Sequence, residues 1–111
     1  TAELEANWAT IKSSEKARES VTDGVPVAMP ALQLATQLTY RARENELKAV
    51  SPELVNQVAN LVGEVTNENI ARVLLAVVEL SRNSEIDAES ALRAESMRFR
   101  KAIRESEGLT N

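Results

Sequence analysis

Residues 67–82, which read NENIARVLLAVVELSR, decide the fold of this chain. The segment predicts a helix, and the run VLLAVV at residues 73–78 makes that helix apolar on every side. Such a helix has to be buried all round, because apolar surface is unfavourable in water. Two short neighbouring helices cannot cover it, so we expect a homodimer or docking onto an N-terminal domain.

Two helices are predicted just before this segment. One opens at Pro30 and ends near Glu46, and its apolar stripe recurs at spacings of three and four. The other begins with Ser51 as a capping hydroxyl and Pro52 in the first helical position, and it contains Gly63, which weakens a helix by about 1 kcal/mol relative to alanine. The stripe of the first helix consists of Ala31, Leu34, Leu38 and Ala42, and that of the second of Leu54, Val58, Leu61 and Val65.

A last helix is predicted between Asp87, which caps its start, and Gly108, which marks its end. Interleaved glutamates favour a solvated, ion-paired outer face on this helix. The inner stripe consists of Ala88, Leu92, Phe99 and Ile103, and the outer face carries the basic residues Arg93, Arg98, Arg100, Lys101 and Arg104.

The start of the chain predicts a further, charged helix over residues 3–18, with Leu4, Trp8 and Ile11 on one stripe. We therefore divide the chain into a helix at residues 1–20 that joins it to an N-terminal domain outside this sequence, a linker at 21–30, and a helical domain at 31–111. The expected fold is all-α, a bundle of about five helices completed by dimerisation.

Composition narrows the possible functions. The chain has no cysteine and no histidine, which excludes disulfides, thiolate sites and a serine–histidine relay. A net charge of −4 argues against general affinity for nucleic acid, whose phosphates favour basic surfaces. No apolar run approaches the roughly 20 residues that cross a bilayer, and no signal sequence is recognisable. We expect a cytoplasmic protein that binds neither nucleic acid nor membrane.

Three motifs resemble the second domain of MazG-type nucleoside triphosphate pyrophosphohydrolases, members of the all-alpha NTP pyrophosphatase superfamily. They are W-x3-K-x2-E-K at residues 8–16, the turn DGVP at 23–26, and the helix start MPAL at 29–32. Residues 67–105 add further matches, among them Leu74, Leu75, Arg82 and Phe99. The resemblance implies a MazG-like helical domain at 31–111 and, for active members, Mg²⁺-dependent cleavage of a nucleoside triphosphate to a monophosphate and pyrophosphate.

The same resemblance implies that the metal site is degenerate. Active members present E-E-x-x-E on one helix and E-x-x-D on the next, so that carboxylates meet on divalent metal. Of the corresponding positions here, Glu64 alone keeps its carboxylate, and Arg72 adds a permanent positive charge. A shifted alignment adds Glu68 as a possible ligand of Mg²⁺. The other positions of the former motif are Asn60, Leu61 and Asn69.

Two further hypotheses concern individual side chains. Arg72 could replace the metal by pairing with Glu64 in a closed pocket, in which case its loss would cost about 3–5 kcal/mol. In active relatives a basic patch on the last helix contacts the substrate's phosphates, and here Arg98 and Lys101 are the candidates for that contact.

The favoured function is a catalytically silent module of a MazG-like pyrophosphohydrolase, which supports a homodimer or packs on its own N-terminal MazG domain. No catalytic residue is assigned, and in this interpretation we expect such a module to bind no metal. The alternative is a weak Mg²⁺-dependent pyrophosphohydrolase that still binds NTP at Glu64 and Glu68. A third interpretation is an unrelated helical adaptor.

Overall fold

The computed structural model describes residues 19–47 and 50–109. Over these ranges the chain forms four helices and no strand, which confirms the all-α class. The further helix expected over residues 3–18 lies outside the described residues. No helix in the described ranges is both long and apolar enough to cross a membrane. The helices are α1 (Ala31–Glu44), α2 (Pro52–Val62), α3 (Asn67–Asn83) and α4 (Ala88–Ser106).

The core of the described residues lies between α1 and α4, which make more extensive contact than any other pair of the four described helices. Leu34 and Leu38 are fully buried there and form a cluster with Val25, against which Met29 and Phe99 pack. Ile103 of α4 is also buried. The predicted apolar stripe of α1 is confirmed, because its four residues are all 0% exposed: Ala31, Leu34, Leu38 and Ala42.

The helix starts follow the capping chemistry of the sequence. The Ser51 hydroxyl accepts a hydrogen bond from the Leu54 amide at 3.3 Å, and the Asp87 carboxylate accepts one from the Ser90 amide at 3.1 Å, so both predicted caps are confirmed. Thr66 caps α3 in the same way through the Asn69 amide at 3.1 Å. Pro30, predicted in the first helical position, instead precedes α1 as its N-cap residue.

Gly63 does not lie inside α2, as its position in the sequence suggested, but ends it. Its φ of 72° and ψ of −122° belong to a region that glycine alone reaches without strain. Its amide still bonds the Ala59 carbonyl at 2.9 Å, which closes the last turn of the helix. The chain therefore turns at Gly63, and Val65 of the predicted stripe falls in the connection to α3.

Residues 19–30 are held firmly on α1 and α4 by side chains that bond their backbone. Arg93 of α4 donates to the carbonyls of Val27 and Met29 at 2.9 and 2.8 Å. Arg41 of α1 donates to the carbonyls of Val21 and Asp23 at 2.9 and 3.0 Å. These bonds satisfy backbone groups that regular secondary structure would otherwise pair. The segment predicted as a linker is thus hydrogen-bonded to both α1 and α4.

A second set of contacts joins this segment to the end of α4. The Ser20 hydroxyl donates to the Glu107 carboxylate at 2.6 Å, and Arg104 lies 3.2 Å from the Asp23 carboxylate. The Arg104 side chain is only 14% exposed. Its predicted place on the solvated outer face was therefore wrong, because the loop around Asp23 folds over it.

Asp23 should make stability depend on pH in the acid range. The bond from the Ser20 amide, helped by Arg104, holds the Asp23 pKa below its ordinary value of 3.8. A lowered folded-state pKa adds stability that is fully present above the unfolded pKa and is lost as pH falls through the folded one. Urea unfolding at pH 7 and near pH 3 should therefore show a larger deficit for Asp23→Asn at pH 7. An equal deficit at both pH values would contradict this role of the carboxylate.

Candidate functional site

The positions of the former metal motif lie around the connection between α2 and α3. Asn60 and Leu61 are in the last turns of α2, and both are exposed. Glu64 follows Gly63 in the connection itself, while Asn69 and Arg72 are in the first turns of α3. The structure thus brings the predicted residues to one end of a helical hairpin, where all of their side chains except that of Asn69 are exposed.

Asn69 has a structural role at this turn. Its side-chain amide donates to the Glu64 carbonyl at 2.9 Å, while its backbone amide is the one that Thr66 caps. Both bonds tie the start of α3 to the connection that precedes it. An asparagine at this position therefore fastens the turn through donor groups that a carboxylate lacks.

Arg72 pairs with Glu68, not with Glu64. The Arg72 Nη2 and Glu68 Oε1 atoms are 2.6 Å apart, and the two side chains are 70% and 71% exposed. An exposed pair one helical turn apart contributes about 0–1 kcal/mol. The hypothesis of a buried Glu64–Arg72 pair is therefore wrong for this structure, and the loss of 3–5 kcal/mol attached to it no longer applies.

The described residues do not fit a divalent metal. No group of three or more aspartate, glutamate, histidine or cysteine side chains converges anywhere in residues 19–47 and 50–109. Glu68 is engaged by a guanidinium, which repels a cation that approaches the same carboxylate.

The two candidate phosphate-binding residues of α4, Arg98 and Lys101, are already paired with glutamates. Arg98 bonds the Glu95 carboxylate at 3.1 and 2.7 Å, and Lys101 lies 3.8 Å from Glu105. Both pairs are exposed and run along the helix, as the interleaved charges predicted. A phosphate group would have to compete with these glutamates for Arg98 and Lys101, so phosphate binding there stays a prediction.

The largest departure from the sequence-based expectation is the apolar surface of the α2–α3 hairpin. The apolar run of α3 predicts burial all round, yet α3 has no buried residue and α2 has only Val62. Large exposed apolar surfaces are typical of sites that bind another protein. We call it the α2–α3 apolar surface, and its large side chains, each at least 39% exposed, are Leu54, Val55, Val58, Leu61, Ile70, Leu74, Leu75, Val77, Val78 and Leu80.

The chain is similar to two curated proteins. It is 39% identical over 108 residues to an uncharacterised 26.1 kDa protein in the blaB 3′ region of Streptomyces cacaoi, which covers 96% of this chain and 40% of that protein. It is 40% identical over 68 residues to the nucleoside triphosphate pyrophosphohydrolase of Mycobacterium tuberculosis, which covers 60% of this chain and 21% of the enzyme. The chain thus spans less than half the length of either relative.

No protein-family model matches the chain, and no solved structure is significantly similar to it. The similarity to a nucleoside triphosphate pyrophosphohydrolase is therefore partial: it covers 60% of the chain, and the all-helical fold is consistent with it.

Proposed function

We propose that this chain is a MazG-like helical module of a nucleoside triphosphate pyrophosphohydrolase, and that it serves assembly instead of catalysis. The sequence similarity to the mycobacterial enzyme supports the family. The reaction of the whole protein would be cleavage of an NTP to a monophosphate and pyrophosphate. Its substrates are cytoplasmic metabolites, and the proposal places the protein in the same compartment.

The observation that carries the assembly role is the α2–α3 apolar surface. Leu61, Leu75 and Leu80 are 76%, 70% and 66% exposed, on helices that contribute almost nothing to the core of their own chain. Each buried side chain of this size gains about 1.5–3 kcal/mol when it leaves water. A second copy of the chain has the same apolar surface, so two copies related by a two-fold axis can bury both surfaces against each other.

The loss of acidic residues supports the second part of the proposal, that the module has no catalytic activity. Mg²⁺ prefers oxygen ligands in octahedral geometry and takes one or two carboxylates when phosphates supply the rest. Glu64 and Glu68 are the two acids available, and Arg72 already holds the second. If the phosphates of a bound NTP supply the other ligands, these two carboxylates would be enough for the alternative function, a weak Mg²⁺-dependent pyrophosphohydrolase.

Pyrophosphate release separates the two functions. The chain, mixed with a panel of NTPs and dNTPs and excess Mg²⁺ or Mn²⁺, should release no more pyrophosphate than the same mixture without protein. Glu64→Gln should give the same result as the unchanged chain. Release that disappears in Glu64→Gln would establish the residual enzyme and overturn the silent module.

The assembly role predicts a mass in solution of twice the 12.2 kDa chain. Sedimentation equilibrium over a range of protein concentrations measures that mass and its dissociation constant. A well-folded monomer at all concentrations would contradict the homodimer, and would leave the parent protein's own N-terminal MazG domain as the partner to test.

A further inference from the structure

A cavity of about 360 Å³ lies between α1, the start of α2 and α4, away from the positions of the former metal motif. Its wall is mostly apolar and includes Ala35, Leu92 and the ring of Phe99. Val50 and Leu54 also line it and are 47% and 53% exposed, so apolar surface at the cavity remains in contact with water. Burial of that surface by an apolar side chain would be favourable.

Residues 1–18, which lie outside the described residues, contain side chains suited to this cavity. Leu4, Trp8 and Ile11 recur at spacings of four and three, which puts them on one face of the helix predicted there. Aromatic side chains bury about 150–250 Å² each and dominate the energetics of packed interfaces. Trp8, the single tryptophan of the chain, is therefore the side chain best suited to fill an apolar cavity.

The segment joins the described structure at a point from which Trp8 can reach the cavity. The Ser20 hydroxyl is bonded to the Glu107 carboxylate at 2.6 Å, at the end of α4. Phe99 precedes Glu107 by about two helical turns, or about 12 Å along the helix axis. Trp8 precedes Ser20 by about twelve residues, which span about 18 Å as a helix. The length of the segment is therefore sufficient for the distance along α4.

The segment has to pass around the end of the α1–α4 pair to reach the cavity. Val21 and Asp23 are held by Arg41, whereas the cavity is lined by Thr39. Arg41 and Thr39 are two residues apart on α1 and therefore lie on different sides of that helix. The helical span of the segment exceeds the distance along α4 by about 6 Å, which is about half the width of a helix. The segment can thus cross the end of α4 and still place Trp8 at the cavity.

We propose that residues 1–18 pack back over the α1–α4 pair and that the indole of Trp8 fills this cavity. The ring packs against Leu92 and Phe99, while the two aliphatic residues of its stripe cover apolar surface on either side. Because the cavity is open to the surface, the indole N–H keeps access to water. The proposal rests neither on pyrophosphohydrolase activity nor on the homodimer, and the pyrophosphate assay does not test it.

The fluorescence of Trp8 tests this placement, because no other tryptophan contributes to the signal. In the full chain we expect an emission maximum shifted to the blue of that of the urea-unfolded chain, together with protection from quenching by acrylamide. Nuclear Overhauser effects should connect the indole ring protons to the side chains of Leu92 and Phe99. Emission typical of a water-exposed indole, or Overhauser effects that reach other side chains alone, would overturn the proposal.

Ala35→Phe fills the cavity from its own wall and should displace the indole, so that the blue shift and the protection from acrylamide are both lost. Ala94→Phe is the matched control, because it makes the same change at an exposed position of α4 outside the cavity wall, and it should retain both signals. Circular dichroism checks that the two variants have equal helix content. Equal fluorescence of the two folded variants would contradict the proposal, and if Ala35→Phe does not fold, the Overhauser effects in the unchanged chain decide.

A second copy of the chain is the other possible cover for the cavity, because Leu54 belongs both to its wall and to the α2–α3 apolar surface. Dilution separates the two cases, since a contact within one chain does not depend on protein concentration. The blue shift of Trp8 should persist at concentrations at which sedimentation shows only monomer. A blue shift that disappears as a dimer dissociates would assign the cover to the second copy and overturn the proposal, while leaving the homodimer itself in place.

Discussion

Leu34→Ala is expected to lower the free energy of unfolding by about 2–5 kcal/mol, the usual range for truncation of a fully buried leucine. Leu34 is 0% exposed and lies in the cluster with Val25 and Leu38 that joins α1 to the preceding segment and to α4. The cavity left by the missing side chain would open where Met29 and Phe99 pack. Urea unfolding followed by circular dichroism measures the change at a fixed protein concentration, since self-association also contributes to stability.

Leu32→Ala is the matched control for this experiment. Leu32 lies on the same helix, two residues earlier, but its side chain is 54% exposed and faces away from the α1–α4 core. The same chemical change there should alter the free energy of unfolding by less than about 0.5–1 kcal/mol. Equal losses for Leu32→Ala and Leu34→Ala would mean that α1 does not pack on α4 through the predicted stripe.

The sequence was sufficient to predict the face of α1 that packs against α4. Ala31, Leu34, Leu38 and Ala42 recur at helical spacing, and local patterns of this kind depend only on residues within a few turns of each other. The caps at Ser51 and Asp87 were predictable for the same reason, because the capping side chain and the amide that it binds are three residues apart.

Features that depend on distant parts of the chain were not predictable in this way. Gly63 fits a helical pattern by sequence, and its positive φ becomes apparent only where α2 has to turn back towards α3. Arg104 belongs to a basic run, yet the Asp23 loop, which lies some eighty positions earlier, draws it inwards. The sequence contains both partners of that ion pair but gives no sign that they meet.

The candidate site also has features that the sequence predicts and features that it does not. Loss of the acidic motif was visible from the sequence, whereas the partner of Arg72 was not, because Glu64 and Glu68 are both within reach of a residue so close in the chain. The burial of Ser96 was not predicted, although this residue lies at helical spacing between Leu92 and Phe99 of the inner stripe.

The exposure of the α2–α3 hairpin was also not predicted, because burial of α3 depends on what packs against it. The sequence of α3 predicts complete burial, and the single chain leaves all of that helix partly or wholly exposed. The α1–α4 pair already forms a core of its own, so α2 and α3 are not needed to bury it. If the α2–α3 apolar surface is the interface of the proposed homodimer, a charged residue on that surface should disrupt the dimer.

Leu80→Glu is expected to convert the proposed homodimer into a monomer that remains folded. Leu80 is 66% exposed, so its replacement removes few contacts within the chain, but a carboxylate there would be buried without a partner in the dimer. Two copies of the change, each at about 2–3 kcal/mol, should raise the dissociation constant on the order of a thousandfold or more.

Leu32→Glu is the control for Leu80→Glu, because it introduces the same charge at a leucine of similar exposure, 54%, outside the hairpin. Sedimentation equilibrium should give a dimer for Leu32→Glu and a monomer for Leu80→Glu at the same concentration, with equal helix content by circular dichroism. If both variants remain dimeric, the two copies associate through another surface, and the α2–α3 apolar surface is left for the parent protein's N-terminal domain. If both become monomeric, the effect is one of net charge, because an interface confined to the hairpin cannot respond to a change on the far side of α1.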